Sequence, residues 1–203
     1  MKYQAIVFDL DGVLIDSKEC MRLCWEKVRK ETNISISFDD YFSNIGKPFE
    51  IILLEIGVPK NIWTIVESIY FEEQQSQLPK IEHFKEIDVL LNKLREKYIL
   101  GLVTSKKSKP TDKILKKFNW SFSQVITPDN CARGKPYPDP LLYFAAYEQL
   151  DPRKCIYIGD MRVDKMAARH AGYDFIRAGW GYQKFRAKSA KSPQDLFEMI
   201  ESS

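Results

Sequence analysis

A chain of 203 residues with 44% hydrophobic and 29% charged positions holds enough apolar material for a substantial core, which excludes a disordered or fibrous chain. Its net charge of +3, from 31 basic and 28 acidic residues, is too small to imply nucleic acid or an anionic membrane as a partner. Cys20, Cys24, Cys131 and Cys155 form no CxxC pair and only two histidines accompany them, so neither a zinc site nor a disulfide framework is expected, and free thiols make the cytoplasm the expected compartment.

The opening "MKYQAIVFDLDG" lacks the long apolar core of a secretory signal, and the longest apolar runs are of strand length, so no membrane span is expected. The first of these runs, Ala5–Phe8, leads directly into Asp9 and Asp11. Two acids one residue apart repel each other, and the Asp-Gly that follows could, by itself, be a hairpin turn. Between positions 17 and 79 only helical patterns follow. Met21, Cys24, Trp25 and Val28 form one apolar face, while Ile51, Leu54, Ile62, Ile65, Val66 and Ile69 suggest two further helices. A parallel crossover needs only about a dozen residues. Segment 17–79 therefore reads as a helical domain inserted in the first connection, with 1–16 and 80–203 forming the sheet-bearing core.

Four more strand-length runs follow: Leu100–Val103, Gln124–Ile126, Cys155–Ile158 and Asp174–Arg177. Most are continuous rather than alternating, as strands buried on both faces of a parallel sheet are. Between them, Ile87, Leu90, Leu91, Leu94 and Tyr98 recur at helical spacing. So do Leu141, Leu142, Ala145, Ala146 and Leu150, in a helix expected to open on Asp139 as its cap and Pro140 in its first turn. This alternation predicts an α/β fold with a doubly wound parallel sheet. The tail after Tyr182 is mostly polar until "PQDLFEMI", a pattern expected to trim the last strand or helix.

In an open parallel sheet, ligands bind beyond the carboxyl ends of the strands. Asp9 and Asp11 follow the first run, and as residues i and i+2 of an extended chain they are expected to face one spot. "VTSKKS" follows the second, with the hydroxyls of Thr104 and Ser105. A little beyond the third lies "ARGKPYPDP" with Lys135, and after the fourth comes "IGDMRVDKMAARHAG" with Asp160 and Asp164. Each alone has a plain reading as a cap, a turn or a solvated loop residue. Acids, hydroxyls and a lysine converging on one sheet edge fit phosphoryl transfer. A hard divalent cation such as Mg²⁺ lets clustered carboxylates coexist and offsets a phosphate's charge. Hydroxyls, amides and a lysine hold phosphate oxygens, one aspartate attacks phosphorus, and a second carboxylate passes a proton.

"FDLDGVLIDS", Thr104 in "VTS", Lys135 in "GKPYPDP" and "GDMRVD" resemble, in order, the four motifs of the haloacid dehalogenase-like hydrolase superfamily. The resemblance spans essentially the whole chain, and segment 17–79 resembles that family's cap domain. Within it the chain looks most like the phosphoglycolate phosphatase and β-phosphoglucomutase branch, with "IGKPFEIILLEIGVP" and "AGWGYQ" adding to the likeness. The resemblance implies a strand order of 5-4-1-2-3 and a Mg²⁺-dependent phosphatase acting on a small phosphorylated metabolite. It further implies Asp9 as nucleophile and metal ligand, and Asp11 as acid/base with its backbone carbonyl on the metal. Thr104 and the backbone of Ser105 would grip phosphate, and Lys135 would neutralise nucleophile and phosphate. Asp160 would ligate the metal directly, with Asp164 ligating it or orienting a metal-bound water.

Three other readings stay open at this point. A phosphomutase of the same branch shares all four motifs. A receiver domain also uses Asp, Mg²⁺, a hydroxyl and a lysine, but has no use for the insert and carries its phosphorylated Asp on a later strand. A silent binding module would not need every motif acid. The run "KKSKPTDKILKK" reads as a solvated helix face or an electrostatic guide for anions. Lys47 is a candidate for reaching over the site, Trp180 and Tyr182 read as packing residues, and His83 and His170 as structural or exposed. The sequence carries no sign of oligomeric state.

Overall fold

The computed structural model describes residues 2–202. Its first part runs β1 (Ala5–Phe8), β2 (Ile15–Asp16), α1 (Lys18–Thr32), α2 (Phe38–Ser43), α3 (Phe49–Glu55), α4 (Trp63–Gln77) and β3 (Glu82–His83). The second runs α5 (Ile87–Arg95), β4 (Ile99–Val103), α6 (Ser108–Phe118), β5 (Gln124–Ile126), α7 (Asp139–Tyr147) and β6 (Cys155–Gly159). It ends with α8 (Arg162–Ala171), β7 (Asp174–Ala178), β8 (Ser189–Ala190) and α9 (Pro193–Glu201).

All neighbours in the main sheet are parallel, in the order β5-β4-β1-β6-β7-β8. Counting β1, β4, β5, β6 and β7 as the first to fifth core strands gives the expected 5-4-1-2-3 when read from β7. β1 is central, with Ala5 in register with Ile99 on one side and Cys155 on the other. Its side chains alternate, as period-2 geometry requires. Ile6 and Phe8 join a large core with α5, α9 and the helical segment, while Ala5 and Val7 join a smaller one with Leu141, Phe144, Ala167 and Ala168. A strand buried on both faces cannot alternate in polarity, hence the unbroken "AIVF".

Several details depart from the sequence expectations. The tail is not trimmed: β8 adds a sixth strand beside β7, and α9 starts at a Ser192 cap whose hydroxyl accepts from Asp195 N. Asp139 caps nothing with its side chain, because Arg133 engages it as an ion pair at 2.9 Å. The inserted segment holds four helices, one more than expected, since six-residue α2 is too short to show periodicity. Ile51, Leu54 and Ile65 are exposed by 42%, 52% and 55%, while Phe49, Ile52, Leu53, Val66 and Tyr70 are buried. Apolar residues occupy both sides of α3, "FEIILLE", so spacing there does not choose a face. Where the chain enters and leaves this segment, β2 and β3 pair antiparallel, with Ile15 opposite His83 and Asp16 opposite Glu82.

Candidate active site

The loop ends beyond β1, β4 and β6 meet at one edge of the sheet. Asp9 continues the ladder by donating its backbone N–H to Ile158 O at 2.8 Å, which fixes its side chain beside the end of β6. The chain then turns back: Gly12 has φ +82°, and a Cβ there would lie 2.3 Å from Asp160 Oδ2. Glycine is required on both counts. At the start of α8, Asp164 Oδ2 accepts from the backbone N–H groups of Asp160 at 3.1 Å and Met161 at 2.8 Å. Its other oxygen takes Lys135 Nζ at 2.7 Å. Lys135, almost fully buried, also reaches Asp9 Oδ1 at 3.0 Å and donates to the Tyr157 hydroxyl at 3.1 Å. Tyr157 in turn donates to Val103 O at 2.8 Å, tying the lysine to the end of β4.

Asp9, Asp160 and Asp164 each offer an oxygen within 4.8 Å of the others, and all three are buried. Asp160 Oδ2 accepts from Tyr182 N at 2.6 Å, but its Oδ1 is buried with no partner among the described residues. Burial pushes the Asp9 carboxyl up to about 7; Lys135 opposes this, and Asp164 and Asp11 add to it. Burial, then Asp164 and Asp9, raise Asp160 well above the usual carboxylate range. Burial lowers Lys135, but the two acids outweigh it and hold the ammonium above its ordinary value. Three buried carboxylates therefore face one buried ammonium. A divalent cation would restore neutrality and complete the orphaned oxygen, so the donor set fits a hard metal ion.

This imbalance has a measurable consequence. Asp9 and Asp160 bind protons more tightly folded than unfolded, so the unfolded chain holds fewer protons between about pH 4 and 7 and stability falls as pH rises. With chelator, the melting temperature is expected to drop from pH 5.5 to 8, and Mg²⁺ should remove most of that slope. A chelated protein equally stable at both pH values would contradict the charge assignment.

The β4 end supplies a second group. Thr104 is buried, donates its N–H to Ile126 O at 3.0 Å and accepts at Oγ1 from Lys106 N at 3.1 Å. The Ser105 hydroxyl is committed elsewhere, donating to Gly46 O of the helical segment at 2.7 Å. Asp11 lies outside the three-acid cluster. β1 ends at Phe8 and the chain turns through Gly12, so the rule that i and i+2 point together in a strand does not reach Asp11. Its Oδ1 instead accepts from Ser17 Oγ at 2.5 Å and faces Lys106 Nζ at 3.2 Å. Asp9 and Asp11 nonetheless line the same cavity of about 70 Å³, with Thr104, Ser105 and Lys106 on the sheet side. Tyr41, Phe49, Tyr70 and Gln74 close it from the helices.

Lys106 was hidden in a lysine-rich run, although its place directly after "VTS" is a usable signal. Two further lysines of that run reach the helical segment: Lys107 pairs with Glu67 at 3.0 Å and Lys113 donates to Gln75 at 2.8 Å. Lys47 also lines the cavity but is ion-paired to Glu55. Trp180 Nε1 donates to Val13 O at 2.9 Å, and the Tyr182 hydroxyl accepts from Ser17 N at 2.7 Å, so both brace the first loop.

A family model described as haloacid dehalogenase-like hydrolase matches residues 6–178. The chain is 28% identical to a phosphoglycolate phosphatase of Aquifex aeolicus over 98% of this chain and 97% of the relative. It is 26% identical to a phosphoglycolate phosphatase of Psychrobacter arcticus, over 98% and 93%. A crystal structure of a hydrolase from Pseudomonas syringae shares the fold at a TM-score of 0.90 and 21% identity, covering 98% of each chain. Among the described residues no helix is long and apolar enough to cross a membrane.

Proposed function

The chain belongs to the haloacid dehalogenase-like hydrolases, and from that we propose that it is a Mg²⁺-dependent phosphatase acting on a small phosphorylated metabolite through an aspartyl-phosphate on Asp9. The observation that carries this reading is the buried Asp9–Lys135–Asp164 array beside an Asp160 oxygen that has no partner among the described residues. The helices of 17–79 act as a cap over the core of 1–16 and 80–203. Four free cysteines suit a reducing cytoplasm.

Asp9, Asp160, Asp164 and the Asp11 carbonyl would hold the metal, which supplies charge neutralisation for carboxylate and phosphate together. Lys135 and Thr104, with the backbone of Ser105, hold the phosphate oxygens. An oxygen of Asp9 attacks phosphorus as the bond to the ester oxygen breaks, and Asp11 gives that oxygen a proton. Water then attacks the aspartyl-phosphate, Asp11 takes a proton from it, and phosphate leaves Asp9 as a free carboxylate. Ser17 and Lys106 hold Asp11 in place for both transfers.

Phosphate release from a panel of monoesters, with Mg²⁺ and with chelator, tests this reading. Metal-dependent release is expected. Full activity in chelator would remove the role given to Asp160, and an isomerised sugar phosphate without phosphate release would identify a mutase. Asp11→Asn is expected to lower kcat by about 10²–10⁴-fold, the usual worth of a positioned acid/base. The loss should be smaller for esters whose alcohol is acidic enough to leave unprotonated.

A further inference from the structure

Helix α4 presents two neutral polar side chains to the cavity, Tyr70 and Gln74, one turn apart and so on one face. Gln74 is only 4% exposed as a residue; its side-chain amide makes no hydrogen bond within the described residues and keeps access to the cavity rather than being sealed off. The Tyr41 hydroxyl donates to that of Tyr70 at 2.9 Å, which leaves the Tyr70 proton without an acceptor among the described residues. Polar groups that open on a cavity are satisfied by water in the free protein, and a ligand whose polar atoms replace that water keeps their hydrogen bonds.

The charged groups around them are already matched. Lys106 faces Asp11 at 3.2 Å, Lys107 faces Glu67 at 3.0 Å, and Lys47 pairs with Glu55. No lysine of the cavity wall is left to neutralise a second anion, and Asp9 and Asp11 would repel one. The Tyr70 proton can go to a hydroxyl or a carboxylate, but the Gln74 amide both donates and accepts, so a hydroxyl pairs with it fully whereas an acceptor-only carboxylate would leave its carbonyl oxygen unpaired.

We propose that Tyr70 and Gln74 bind the alcohol half of the substrate, and that this substrate is the phosphate monoester of a small, uncharged, hydroxylated compound. The assignment rests on the phosphatase reading and adds the leaving group to it. It runs against carrying over the phosphoglycolate named for relatives at 26–28% identity.

The test compares kcat/KM for glycerol 3-phosphate, phosphoglycolate and phenyl phosphate. The wild type is expected to favour glycerol 3-phosphate over phosphoglycolate by about tenfold or more. Gln74→Leu should lower the ratio of glycerol 3-phosphate to phenyl phosphate about tenfold, since phenyl has no hydroxyl to pair. Gln74→Lys should move the ratio of phosphoglycolate to glycerol 3-phosphate upward by a similar factor. Should Gln74→Leu fail to fold, Gln74→Met, similar in length and without the amide, reads the same selectivity. A wild-type preference for phosphoglycolate, or ratios that move less than about twofold in the folded variants, overturns the assignment while leaving the phosphatase intact. Absence of phosphate release from all three esters overturns the phosphatase reading, and this one with it.

Discussion

Asp9→Asn is expected to reduce kcat by at least about 10⁴-fold, the scale on which removing an enzymatic nucleophile acts. The same variant should melt at or above the wild-type temperature in chelator at pH 8. Asp9 is buried, and its carboxyl, pushed up to about 7 by that burial, is held ionised at pH 8 against an environment that disfavours the charge. Asparagine keeps the shape and removes the charge, and Lys135 retains Asp164 at 2.7 Å. The two readouts together separate a missing nucleophile from a damaged fold. An inactive variant that also melts well below wild type would point to structural loss, and an active one would end the covalent proposal.

Lys135→Met should damage both activity and stability. The ammonium sits between Asp9 and Asp164, with its side chain 1% exposed. Removing one partner of a buried ion pair costs about 3–5 kcal/mol, because the remaining charge is stranded. For a chain of this size that corresponds to a fall of roughly 10 °C in melting temperature. Turnover should drop about 10²–10³-fold, as when a preorganised donor to developing charge is lost. Burial opposes the charged lysine, but the acids outweigh it, so its stabilising effect extends past the ordinary lysine range. Part of the lost stability should return at pH 5.5 as the stranded Asp9 protonates, or on adding Mg²⁺. A variant as stable as wild type at pH 8 in chelator would show that the lysine is not holding the acids together.

The sheet was legible because its physics is local. Runs such as "AIVF" and "CIYIG" are apolar throughout since helices cover both faces, and each ends at a polar loop. β8 went unread because two residues, Ser189 and Ala190, carry no periodicity and pair only through neighbours distant in sequence. Helix α3 misled because its apolar residues outnumber its buried face. At the site, Asp9, Thr104, Lys135, Asp160 and Asp164 could be picked out by residue type and position after strands. Lys106 was masked by the lysines around it although its place after "VTS" marks it, and Gln74 carries no signal in "EEQQSQ", where only the fold shows which glutamine is buried. The contribution of Tyr182 to Asp160 is a backbone N–H, which no side-chain pattern can announce.

The strand made first is the one placed in the middle. Ala5 waits for partners at Ile99 and Cys155, so at about 5–20 residues per second a nascent chain carries "AIVF" with at least one edge unpaired for roughly 8–30 s before the second arrives. A short, uncharged, strand-forming segment in that condition invites aggregation, and natural chains flank such segments with charged gatekeepers. Asp9 and Asp11 stand directly beside it. Before any cation or ester is bound, their mutual repulsion already discourages two growing chains from pairing edge to edge.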